Sequence, residues 1–151
     1  MKKLLILLCI SSLFACNNAA ENKEESVQTT EDAHPHEKVA TPALNNGAKW
    51  KSDESTNRNV AELEAIVNKF NTTQPKLTAD FINVANELQN GIDKMIKECR
   101  MDGPDHEALH QWLEPLLENV AALKKTTIEK EALKSFDSIR EQLETYHQYF
   151  E

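Results

Sequence analysis

Apolar residues recur at three- and four-residue steps along four stretches of the chain, the spacing of one buried face on each of four α-helices. The first stripe is Val60, Leu63, Ile66, Val67 and Phe70, and the second is Leu77, Phe81, Val84, Leu88, Ile92, Met95, Ile96 and Cys99. The third is Leu109, Leu113, Leu116, Leu117, Val120 and Leu123, and the fourth is Ile128, Leu133, Phe136, Ile139, Leu143, Tyr146 and Phe150. No stretch alternates convincingly with a period of two, so the pattern predicts an all-α fold.

Turn signals separate the four stripes. Pro75 stands near the start of the second predicted helix, Asp102-Gly103-Pro104 follows that helix, and residues 124–127 precede the fourth. Short loops between consecutive helices favour antiparallel neighbours. The sequence therefore predicts an up-down-up-down four-helix bundle over residues 49–151.

Two residues interrupt the helical patterns. Gly91 lies inside the second predicted helix, where it either permits a close approach of another helix or simply weakens the turn. Pro115 removes a backbone donor inside the third, which we expect to bend there.

The N-terminus has the features of an export signal. Met1-Lys2-Lys3 is basic, and the following run from Leu4 to Phe14 is almost wholly apolar but too short to span a membrane as a mature helix. Leu13-Phe14-Ala15-Cys16 resembles a bacterial lipobox, although Phe14 is bulkier than the commonest residue there. Residues 1–15 are thus predicted to be a lipoprotein signal peptide, and Cys16 to carry acyl chains such as palmitate. The alternative is a plain secretory peptide cut nearby.

The segment after the lipobox is polar and acidic, with scattered prolines and almost no large apolar residues. Such a composition cannot bury enough surface to offset the entropy of ordering. We therefore predict that residues 16–48 comprise the lipidated cysteine and a disordered linker. The bundle would then be held at the cell envelope by its lipid anchor, with the outer membrane favoured, on its periplasmic or surface face.

Charge and cysteine content narrow the possible functions. The full chain has a net charge of −8, and loss of the signal peptide leaves 15 basic and 25 acidic residues, a net charge of −10. No cluster of Lys and Arg offers a surface for phosphates, which argues against nucleic-acid binding. With Cys9 in the signal and Cys16 lipidated, Cys99 is the one thiol of the bundle and cannot form an internal disulfide.

Alternating helix direction brings together the start of the first helix, the end of the second, the start of the third and the end of the fourth. We call this end of the bundle the Trp50 pole. It collects residues with sulfur, imidazole or aromatic side chains: Trp50, Cys99, Met101, His106, His110, Tyr146, His147 and Tyr149. The third stripe continues back through His106 and His110, so we expect both imidazoles to face the bundle axis or its edge.

This convergence predicts a metal site made by Cys99, Met101, His106 and His110, with His147 as a further ligand or as a hydrogen-bond partner of a ligand. Thiolate and thioether prefer soft ions such as Cu(I), and imidazole suits copper and zinc alike. We therefore expect a soft transition metal, with copper favoured and zinc possible, to be bound for buffering or transfer to an envelope partner.

Each of these residues also has a plain structural explanation. A lone cysteine such as Cys99 is more often a buried small hydrophobe, and Met101 is more often a gap filler. A single histidine on a helix is usually solvated or hydrogen-bonded.

His106-Glu107-Ala108-Leu109-His110 also matches H-E-x-x-H, the helix pattern of zinc metalloproteases. Gly103-Pro104 places the pair in the first turns of the helix, no sheet edge is predicted to align a peptide, and no downstream glutamate is singled out as a third ligand. We see no nucleophilic triad, phosphate loop or isolated pair of carboxylates either. The sequence therefore favours a protein that is not an enzyme.

Over residues of about 48 to 125, the chain resembles small, largely uncharacterised helical lipoproteins of Gram-negative bacteria. The resemblance includes Gly47-Ala48-Lys49-Trp50 and the block C-x-M-x-G-x-x-H-x-x-L-H over 99–110. The resemblance implies export and a helical bundle, and it implies no particular activity.

Two other functions are compatible with the sequence. A bundle of four helices can hold non-covalent haem, with Met101 and one of the histidines as axial ligands. Alternatively, the protein is a metal-free interaction module of an envelope complex, whose contact surface is formed by Trp50, Trp112, Tyr146 and Tyr149. The sequence predicts no particular oligomeric state.

Overall fold

The computed structural model describes residues 41–72 and 77–151. They form four helices: α1 (Glu54–Thr72), α2 (Thr78–Glu98), α3 (Gly103–Lys125) and α4 (Glu129–Tyr149). The fold is an all-α four-helix bundle, as the apolar stripes predict. In this described part, none of the helices combines the length and the apolar character that crossing a membrane requires. The predicted signal peptide, Cys16 and the turn at Pro75 lie outside the described residues.

The core follows the predicted stripes, with instructive exceptions. Leu77, Ile96, Ile128 and Leu133 were expected to face the core but are between 44% and 66% exposed. Leu77 and Ile128 directly precede α2 and α4 with extended backbone, so the helical period does not apply to them. Ile96 and Leu133 each follow a buried residue, Met95 and Ala132. A helix turns about 100° per residue, so a residue that follows one pointing directly at the core is turned away from the centre of the core.

Close contact between α1 and α2 explains Gly91. A Cβ atom at this position would lie 2.7 Å from Cδ2 of Leu63, a side chain that is fully buried. Of the two roles open to this glycine, the structure supports the close helix approach. Pro115 does not end α3, which continues to Lys125.

Two clusters of aromatic side chains fill the two ends of the core, one at each pole. At the pole opposite the Trp50 pole, Phe70, Phe81 and Phe136 join α1, α2 and α4, with ring centroids 4.8 to 6.1 Å apart. At the Trp50 pole, Trp112 of α3 packs against Tyr146 of α4, with centroids 4.9 Å apart. Edge-to-face contacts of this kind add to the energy of simple apolar burial.

The chain before α1 is hydrogen-bonded to the C-terminus. The amide of Trp50 donates to the carbonyl of Tyr149 at 2.8 Å, and the amide of Ser52 donates to the carbonyl of Glu151 at 2.9 Å. In return, the amide of Glu151 donates to the carbonyl of Trp50 at 3.0 Å. This short parallel pairing fixes the start of α1 against the end of α4.

Two carboxylates, those of Asp53 and Asp105, connect the segment before α1 to α2 and α3. The amide of Lys51 donates to Oδ1 of Asp105 in the first turn of α3 at 2.9 Å. Asp53 caps α1, because its Oδ1 accepts from the amide of Thr56 at 2.6 Å. Its Oδ2 accepts from the amide of Arg100, just after α2, also at 2.6 Å. Residues 50–53 therefore contact the ends of the other three helices.

Part of the predicted linker is folded against the bundle. Asn45 and Ala48 exchange two backbone hydrogen bonds of 2.9 Å around Asn46 and Gly47, which both have positive φ angles. Nε1 of Trp50 donates to the carbonyl of Ala43 at 2.7 Å. These contacts lie within residues 41–48, which the sequence analysis assigned to the linker. Asn-Gly is a strong signal for a tight turn with two positive φ angles, and it marks this turn in the sequence.

We expect Gly91→Val to lower the free energy of unfolding by about 1–3 kcal/mol, because the new side chain must displace the buried Leu63. Urea unfolding followed by circular dichroism measures the change. The matched control is Asn90→Val, which introduces the same side chain at an exposed neighbouring position. Equal stability of the two variants would contradict the close helix approach.

The Asp53 carboxylate should make stability depend on pH. Burial raises the pKa of Asp53, but hydrogen bonds from the amides of Thr56 and Arg100 outweigh this and lower the pKa from 3.8 to about 2. A depressed folded-state pKa stabilises the fold above the unfolded value of 3.8. This contribution is lost as the pH falls towards 2.

Asp53→Asn replaces one acceptor oxygen with an amide group that cannot accept, so we expect a loss of about 1 kcal/mol at neutral pH. The difference from the native chain should be constant above about pH 4 and should shrink between pH 4 and 2. Unfolding curves at several pH values measure it, with the exposed Asp137→Asn as control. A difference that persists unchanged at pH 2 would show that the charge of Asp53 is not responsible.

Candidate metal site

His106 and His110 form a close pair on α3. Their Nε2 atoms are 3.1 Å apart, the ring centroids are 4.5 Å apart, and the ring planes are inclined by 68°. Without an ion, this distance is that of a hydrogen bond in which one neutral imidazole donates to the other. The two Nε2 atoms are therefore close enough to share a proton.

The local sequence sets up this geometry. Gly103 adopts a positive φ of 60°, and Pro104 occupies the first turn, where its missing amide hydrogen costs nothing. α3 therefore begins just before the histidines, and a spacing of four residues stacks their rings on the same face.

The pair has the dimensions of a bidentate metal ligand. A metal–nitrogen distance of about 2.0–2.1 Å places two imidazole nitrogens about 3.3 Å apart on a tetrahedral ion and about 2.9 Å apart at adjacent corners of a square-planar one. The observed 3.1 Å lies between these values. Binding of an ion would therefore require little change in the distance between the two nitrogens.

Both rings lie at the edge of the bundle and not at its axis. His106 is half-buried and His110 is exposed, whereas Ala108 and Leu109 between them face the core. The sequence left open whether the two imidazoles face the bundle axis or its edge, and the structure shows that they face the edge. Glu107, the glutamate of the H-E-x-x-H pattern, is also exposed.

The two sulfur residues belong to the packed interior of the Trp50 pole. Cys99 is half-buried against the core, and its amide caps α2 by donating to the carbonyl of Met95 at 2.9 Å. Met101 also packs against the core, where its Sδ accepts a hydrogen bond of 3.7 Å from Oγ of Ser52. Both residues therefore make packing contacts at the pole where ligands were predicted.

The phenol of Tyr146 lies beside these residues. Its hydroxyl hydrogen-bonds to Oγ of Ser52 at 2.7 Å and to Oδ1 of Asn57 at 2.9 Å. Burial raises the pKa of Tyr146 to about 12, the hydrogen bond with Ser52 opposes this, and the negative charge of Asp53 adds to the rise. The phenol therefore stays neutral at physiological pH.

His147 is engaged elsewhere. Its Nε2 lies 3.0 Å from Oε1 of Glu64 on α1, and its side chain is 63% exposed. This contact joins α4 to α1 across the surface of the bundle.

Residues 41–72 and 77–151 contain no group of three or more His, Cys, Asp or Glu side chains placed to hold one metal ion. Cys99 and His147 therefore do not join the two histidines of α3 in such a group. Of the predicted ligands, His106 and His110 are the two that the structure places side by side.

Two of the four aromatic residues of the predicted contact surface lie inside the bundle. Trp112 and Tyr146 are completely buried, and Nε1 of Trp112 donates to the carbonyl of Gln142 at 3.0 Å. Trp50 and Tyr149 are half-buried against the same core. The prediction of surface contacts is therefore wrong for Trp112 and Tyr146, because their large apolar areas are used for packing.

One cavity lies at the opposite pole, between α1 and α2. Its volume is about 170 Å³, and it is lined by Ile66, Lys69, Phe70, Asp80, Asn83, Val84 and Glu87. None of these is an axial ligand for haem, and the volume is below the 300–1,000 Å³ of typical ligand pockets. The cavity therefore gives the haem interpretation no support.

Sequence reasoning missed two residues on which the pole depends, Asp53 and Asp105. Asp53 stands directly before a helical pattern, which is the signal for a helix cap. Asp105 carries no comparable signal, because its partner is a backbone amide 54 residues away.

Comparison with known proteins gives no relative: no family model, curated protein or solved structure matches this chain.

Proposed function

We propose that this protein is a lipid-anchored protein of the cell envelope that binds a transition-metal ion, copper in preference to zinc, through His106 and His110. The observation that carries the proposal is the 3.1 Å separation of two accessible imidazole nitrogens. Its role would be to buffer the ion or to transfer it to an envelope partner.

The chemistry of the pair favours copper. Among divalent first-row ions, Cu(II) binds a given set of nitrogen ligands most tightly. The thiol of Cys99 and the thioether of Met101 at the same pole are the ligand types that Cu(I) prefers. Zinc also binds imidazole well and is the alternative ion.

The small number of ligands favours buffering or transfer. An ion held by two side chains at an exposed edge keeps other coordination positions open to the ligands of an acceptor. Structural sites, in contrast, enclose the ion with four protein ligands. The lipobox-like Leu13-Phe14-Ala15-Cys16 would hold this open site at the membrane surface.

His106→Ala and His110→Ala should each weaken Cu(II) binding by the full-length protein in detergent. Loss of even an outer-shell partner typically lowers metal affinity about 10–100-fold, so we expect at least this effect from loss of a ligand. Isothermal titration calorimetry measures the affinity, and electron paramagnetic resonance detects nitrogen coordination of the bound Cu(II).

His147→Ala is the matched control, because this histidine is exposed but lies outside the pair. It should bind Cu(II) as the native chain does. A Cys99→Ala variant titrated with Cu(I) tests whether the thiol takes part with the softer ion. Absence of copper and zinc binding, or binding that survives loss of both His106 and His110, would exclude the proposed site.

A further inference from the structure

The described chain provides fewer ligands than a stable site needs. Protein-bound zinc takes four ligands in its structural sites, and Cu(II) favours a square-planar or tetragonal set of nitrogen and oxygen atoms. Two imidazoles are in place, and no third His, Cys, Asp or Glu within residues 41–72 and 77–151 completes a group with them. The remaining positions must be filled from outside this part of the chain.

The position of the pair allows a second protein to supply them. The rings lie on the first two turns of α3, at the end of the bundle, with His110 exposed and His106 half-buried. Ile96 on the last turn of α2 adds an apolar side chain, 52% exposed, to the same pole. A second copy could bring an identical pair to the same ion around a two-fold axis.

Charge makes such an association depend on the ion. Each chain has a net charge of −8, and the exposed carboxylates of Asp102 and Glu107 flank the histidines. Two copies that meet at this face therefore repel each other. A divalent ion between four neutral imidazoles places positive charge where the carboxylates of both chains converge, and it supplies the attraction that the protein surfaces lack.

We infer that His106 and His110 from two copies of the chain bind one Cu(II) or Zn(II) ion together, so that the metal produces a homodimer. The inference rests on the proposed function: in the absence of an acceptor, the open coordination positions are filled by the two imidazoles of a second copy, which gives four imidazoles in all.

The test is the mass of the full-length protein in detergent, measured by sedimentation with the detergent contribution subtracted, during titration with Zn(II) or Cu(II). We expect a monomer in the presence of a chelator. A dimer should form as the ion is added and should be complete at one ion for every two chains. The Cu(II) resonance spectrum should show four equivalent nitrogen ligands.

Three variants identify the atoms responsible. The double variant His106→Ala/His110→Ala should stay monomeric with metal, and His147→Ala should dimerise as the native chain does. Cys99→Ala should also dimerise. This variant is needed because copper can oxidise thiols, and a disulfide between two copies of Cys99 would produce a dimer by another route.

The outcomes separate the two proposals. One ion bound per monomeric chain would overturn the dimer and leave the proposed function standing. A dimer that forms without metal, survives in the double variant or disappears in Cys99→Ala would also overturn it. Absence of metal binding would remove both.

Discussion

Backbone hydrogen bonds from residues 50–53 hold the Trp50 pole together. Four helices that pack through apolar stripes can slide along one another at modest cost, because apolar contact has little directionality. The amides before α1 are directional, and they find acceptors at the C-terminus and at Asp105, while Asp53 accepts from the amide of Arg100. These bonds fix the relative heights of all four helices, and hence the positions of the residues carried by their ends.

At this pole the two sulfur residues and the two histidines differ in burial. Ser52 lies at the centre of the pole, where its hydroxyl contacts both the thioether of Met101 and the phenol of Tyr146. Met101 and Cys99 are thereby packed against the core, whereas the two histidines point outward from the next helix. The inner side of the pole is therefore packed against the core, and the outer side carries the histidine pair.

A metal held at the outer side would cost the fold little. Burying a charged ion requires a closed and fully satisfied ligand set, since an unpaired charge in the interior is expensive. At the edge of a bundle, solvent or a second protein can satisfy the open positions. The histidine pair therefore fits an ion that is passed on or shared more closely than one that stabilises the fold.

The sequence by itself determined the helices and most of the core. Periodic apolar positions, the Gly103-Pro104 start of α3 and the four-residue histidine spacing act through local geometry, which neighbouring residues set. The sequence also marked the Asn46-Gly47 turn, although composition suggested a linker there. Tertiary structure decided which of two adjacent apolar residues, such as Met95 and Ile96, faces the core.

Tertiary structure also decided that Trp112 and Tyr146 pack inside, and that Cys99 and Met101 pack against the core while His110 is exposed. The physical reason is that helical periodicity fixes the face on which a side chain lies but not its neighbours across the bundle. Those neighbours depend on helix heights and rotations, which here are set by hydrogen bonds between residues up to about 100 positions apart in the chain.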